Sequence, residues 1–149
     1  MALDPHLLHL AVRWMHVGGM AVAFGGSVLV LALSMRRTVG SATVVQAAAS
    51  YEWAFWAAVG ILAMTGIGNL GAFGTSLPEP GTDWGGTFEV KLAFVLALVL
   101  LSVPRTLALA MLATTAPAER GLRRIRRLYG GTTGAFALIL ALAVTLAHG

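Results

Sequence analysis

The sequence predicts an all-α integral membrane protein, a four-helix bundle of up-down-up-down topology. Three observations predict it. Of 149 residues, 58% are hydrophobic and 11% charged, with a mean hydropathy of +0.83. A soluble domain of this size needs a far more charged surface. Four apolar stretches, at about 11–35, 51–73, 88–113 and 129–147, each meet the roughly 20 helical residues that cross a ~30 Å hydrocarbon core. Short connections make successive helices antiparallel neighbours, and the alternating segments of a β-barrel are missing. Residues 1–149 therefore read as one transmembrane domain.

Span 1 opens on Asp4-Pro5, an N-cap followed by proline at the first helical position. No basic start or small-residue cleavage site precedes it, so this span is expected to be retained. Its polar residues form a stripe: His6, His9, Arg13, His16 and Met20, spaced 3, 4, 3 and 4. At about 3.6 residues per turn these side chains share one arc of the helix. Ionisable groups inside a bilayer are costly and mark candidate functional sites.

Span 2 starts with Glu52, and span 3 carries Arg105 beside Pro104. A buried charge needs a partner, so Glu52 and Arg105 are expected to pair. Pro104 is expected to kink span 3 or open its backbone. Lys91 opens span 3 two residues after Glu89, on a different helix face, and either snorkels to the interface or meets a carboxylate or propionate. Glycines recur in spans 1, 2 and 4, including Gly18, Gly19, Gly25 and Gly26, and a GxxxG at Gly130 and Gly134. They serve close helix packing, or those near His16 make room for a flat cofactor. Trp14 and Trp84 suit the interfacial aromatic belt.

Orientation follows from the arginines. Arg36 and Arg37 follow span 1, and Arg120, Arg123, Arg124, Arg126 and Arg127 precede span 4. The connection from Gly74 to Thr87 has no Lys or Arg and carries Glu79 and Asp83. The positive-inside rule puts the first and third connections in the cytoplasm and both termini outside. The arginines also suit anionic lipid headgroups. Nucleic acid is not an expected partner, because no groove-reading or stacking module accompanies them.

Without cysteine, thiolate metal sites, Fe–S clusters and covalent haem attachment are excluded. Three functions remain. One is a b-type haem, with His16 as axial ligand, His148 as second ligand, and Arg13 and Lys91 on the propionates. The second is copper, with His9, His16 and Met20 as a ladder of imidazole and thioether ligands. The third is a cofactor-free structural or assembly subunit of a larger membrane complex.

The stretch RWMHVGGMAVAFGGSVLVLAL in span 1 resembles the first helix of CopD-type copper resistance membrane domains and of the related HemJ-type protoporphyrinogen oxidases. The features shared are an early histidine, then small residues including Phe24-Gly25-Gly26. FEVKLAFVLALVLL in span 3 resembles the VKL opening of a later helix in the same proteins. The resemblance implies a membrane helix bundle. Its HemJ side implies a haem-associated site at His16 and Lys91, and its CopD side implies copper handling. The chain departs in lacking a histidine in span 3, which speaks against porphyrin oxidation, and in lacking a Met- or His-rich capture loop. The leading expectation is a small haem-binding, electron-transfer subunit in a bacterial or archaeal plasma membrane, exchanging electrons with quinol or a protein partner. The alternatives are a CopD-like copper protein and a cofactor-free subunit.

Overall fold

The computed structural model describes residues 4–72, 81–114 and 119–148. They form four helices: α1 (Pro5–Met35), α2 (Ser41–Ala72), α3 (Asp83–Thr114) and α4 (Glu119–His148). Each is long and apolar enough to cross a membrane. Each packs on its chain neighbours, and α4 closes the ring against α1. The architecture is the up-down-up-down bundle that the sequence predicts.

The helices outrun the apolar stretches at several ends. α2 starts at Ser41 rather than near 51, because the alanine-rich segment before Tyr51 carries the helix on past the apolar window. Asp4 caps α1 as expected: its carboxylate accepts the His6 backbone N–H at 2.9 Å, with Pro5 in the first turn. At the other end of α1, Arg126 Nε donates to the Ser34 carbonyl at 2.6 Å. A cation there satisfies a carbonyl that the helix leaves without a partner.

α3 continues as helix through Pro104. Pro104 is exposed and its neighbour Arg105 turns fully into the bundle. The core is aromatic at its centre, where Phe136 meets Phe24 and Phe55 edge-on at 6.3 Å each. At the histidine-bearing end, Trp84 Nε1 donates to the Leu146 carbonyl at 3.2 Å, tying the start of α3 to the end of α4. Glu79 and the rest of residues 73–80 lie outside the described residues.

Two glycines of α1 are used for packing. A Cβ on Gly19 would come within 3.1 Å of Leu62, and one on Gly26 would overlap the Tyr51 ring. Both face α2, so they serve close helix approach. Gly18 and Gly25 are exposed and face open space.

Candidate functional site

The bundle holds two polar zones in opposite halves. The first is built on His16. His16 is half-buried, and its Nδ1 lies 2.8 Å from Thr65 Oγ1 of α2. Thr65 is buried and already donates its single hydroxyl proton to the Ile61 carbonyl at 2.6 Å. Toward His16, the hydroxyl must therefore accept. That assigns the proton to Nδ1 and leaves the lone pair of the neutral ring on Nε2. A histidine held by its Nδ1–H from outside is the usual arrangement of a metal-ligating imidazole. Gly66 lies beneath the ring, and a Cβ there would sit 3.7 Å from Cε1.

The structure sorts the rest of the stripe. His9 and Met20 are half-buried like His16, and Met20 packs against the core. His6 and Arg13 are exposed. Met20 stands one turn beyond His16, about 6 Å along the axis, close enough for both to reach one ion. His9 is two turns back, about 10 Å away, too far to share that ion. Among the described residues, no group of three or more His, Asp or Glu could hold a metal. Lys91 enters from α3 and is half-buried.

Nothing among the described residues supports the haem site that the sequence led us to expect. His16 has no second imidazole facing it among the described residues, and the side chain of His148 lies outside them. Leu62 and Tyr51 fill the α1–α2 groove beside Gly19 and Gly26.

The second zone pairs Glu52 and Arg105, as expected. Arg105 Nε and Nη2 donate to the two Glu52 oxygens at 2.8 and 3.1 Å, with both side chains almost fully buried. Tyr129 Oη donates to Glu52 Oε1 at 2.6 Å, and Thr106 Oγ1 donates to Oε2. Arg105 Nη1 donates to Thr132 Oγ1 at 2.9 Å, and Trp56 Nε1 donates to Thr106 Oγ1 at 3.1 Å. The guanidinium also lies over the Phe55 ring, 4.3 Å from its centre. Glu52 thus accepts four charge-assisted or hydroxyl hydrogen bonds from α3 and α4. The carboxylate is saturated, which makes it a joint between helices rather than a free acid.

Sequence reasoning missed Tyr129, Thr106, Thr132 and Trp56 here, and Thr65 at His16. One signal was present: Tyr51 and Tyr129 are the chain's two tyrosines, and both rings lie against Arg105.

Fold and polar core together define an integral membrane four-helix protein with a buried ion pair in one half and an inward-held imidazole in the other. The family model for copper resistance protein D, CopD, matches residues 45–146. That is more than half of the chain, which belongs to the CopD family. The match takes in nearly all of α2, and α3 and α4, whereas the resemblance read from the sequence rested on spans 1 and 3. His16 therefore stands before the matched segment. Neither a curated protein nor a solved structure matches the chain.

Proposed function

We propose that the protein handles copper, with Cu(I) as cargo taken up at His16 Nε2 and the Met20 thioether. The match to the copper resistance family model carries this reading. The geometry supports it in two ways. His16 offers an unprotonated nitrogen, held in place by Thr65. Met20 follows at a spacing suited to a two-coordinate soft ion, and imidazole and thioether both suit Cu(I). Lys91 adds a positive charge in the same half of the bundle, which weakens the ion's retention and suits a cargo that must leave.

The arginine-bearing connections face the cytoplasm in this reading, and His16 lies in the outer half of the bundle. His9 is an earlier contact on the same helix face. Nothing among the described residues points to a quinol or to a protein partner.

The test is competition for Cu(I) against a colorimetric chelator, with the protein in mild detergent. Wild type is expected to take one Cu(I), and His16→Ala none. A wild type that takes no copper sinks the proposal. So does a Soret band in protein expressed with haem supplied, abolished in His16→Ala, since that identifies the haem protein instead.

A further inference from the structure

We propose that the outward face of the first two turns of α4 binds an anionic phospholipid headgroup carrying two phosphates. Arg120, Arg123, Arg124 and Arg127 recur at the spacing of one helix face, and all four are exposed. Together they line a single concavity of about 490 Å³. The opposite face of the same turns is fully engaged. Ile125 and Tyr129 are buried in the core, and a Cβ on Gly121 would sit 3.2 Å from Leu112 of α3. Arg126, the fifth arginine of the segment, is already bound to the Ser34 carbonyl. Among the described side chains, which do not include that of Glu119, no carboxylate pairs with the other four.

Four like charges on one face repel one another, and an anion relieves that repulsion. Arg120 with Arg124, and Arg123 with Arg127, form two pairs, each about 5–6 Å apart. A guanidinium matches a phosphate with two parallel hydrogen bonds, so two pairs suit two phosphates.

The depth commits the site to a lipid rather than to a soluble anion. The apolar part of α4 begins at Leu128, and about 20 residues from there span the ~30 Å core. The arginines therefore sit at headgroup level, in reach of anionic lipids. Directly below them the same helix face is open. Gly131 and Gly134 are exposed, with nothing within 4 Å of an added Cβ, and exposed Leu138 follows one turn deeper. That glycine groove can seat the acyl chains of a lipid whose headgroup fills the arginine concavity.

The experiment follows the unfolding midpoint of the full chain in neutral detergent. Cardiolipin, phosphatidylglycerol and inorganic pyrophosphate are titrated separately. Cardiolipin is expected to raise the midpoint at a concentration at least about fivefold lower than phosphatidylglycerol, with pyrophosphate inert. Arg124→Gln with Arg127→Gln should lose that preference. Arg36→Gln with Arg37→Gln removes the same charge elsewhere and should keep it. Equal effects of the two lipids at equal phosphate overturn the proposal. Equal losses in the two double variants do the same, since they reduce the effect to net charge. Stabilisation by pyrophosphate as strong as by cardiolipin reassigns the face to a soluble anion. The comparison of ligands on wild type decides the matter even where a variant fails to fold.

Discussion

At the scale of the residue, the most informative contact is the one between His16 and Thr65, because it fixes which imidazole nitrogen is free. Thr65→Val keeps the shape but removes the acceptor of the Nδ1 proton. It is expected to weaken Cu(I) binding about 10- to 100-fold, the usual cost of losing such a support. His16→Ala should abolish binding, whereas His9→Ala should leave the affinity of the His16 site unchanged. Lys91→Met is expected to act in the opposite direction. Removing a positive charge from the same half of the bundle favours a bound cation, so binding should tighten by roughly three- to tenfold, the size of a screened charge pair. Chelator competition reads all of these variants. Weaker binding in Lys91→Met would mean that Lys91 organises the site rather than repelling the ion. His16 was legible in the sequence because a histidine in an apolar helix stands out. Thr65 was not, since a threonine in a membrane helix most often bonds its own backbone, as this one also does.

At the scale of the element, the Glu52–Arg105 joint fastens α2, α3 and α4. Removing one partner leaves an uncompensated buried charge, which costs about 3–5 kcal/mol. Glu52→Gln or Arg105→Met alone should therefore lower the unfolding midpoint sharply. The double variant should be more stable than the sum of the two losses predicts, because neither charge is then left alone. Strict additivity in a denaturation series would show that the pair is not coupled. The pairing itself was legible, since two opposite charges in a thin apolar bundle have few other options. Thr106 was not, because α3 is apolar nearly all round and lacks the polar face that normally reveals which side is inward; on α4 the exposed arginine face did mark the opposite side, that of Tyr129, as inward. Packing decides the rotation: Gly26 against the Tyr51 ring sets how α1 meets α2. Gly26→Ala should cost about 1–3 kcal/mol through overpacking, measured by the same denaturation series, while Gly25→Ala, facing open space, should be close to neutral.

At the scale of the whole molecule, Glu52 and Thr65 stand thirteen positions apart on α2, about 20 Å along the axis. Phe24, Phe55, Phe136 and Ala58 pack in the interval. On the copper reading proposed above, a cation bound at His16 would meet mostly apolar packing toward Glu52, interrupted by the Tyr51 hydroxyl, Ser27 and Thr133, and would exchange with one side of the membrane. Which side that is depends on orientation, and orientation is testable because the chain has no cysteine of its own. Thr38→Cys lies exposed between α1 and α2 beside Arg36 and Arg37, and Asp83→Cys lies exposed at the start of α3. In intact cells, a membrane-impermeant maleimide is expected to label Asp83→Cys and to spare Thr38→Cys, with both labelled after lysis. The arginines predict this result, since positive charge is retained on the cytoplasmic side. The reverse pattern would place His16 in the cytoplasmic half. Copper would then be loaded from the cell interior, and the arginine face of α4 would meet the outer leaflet.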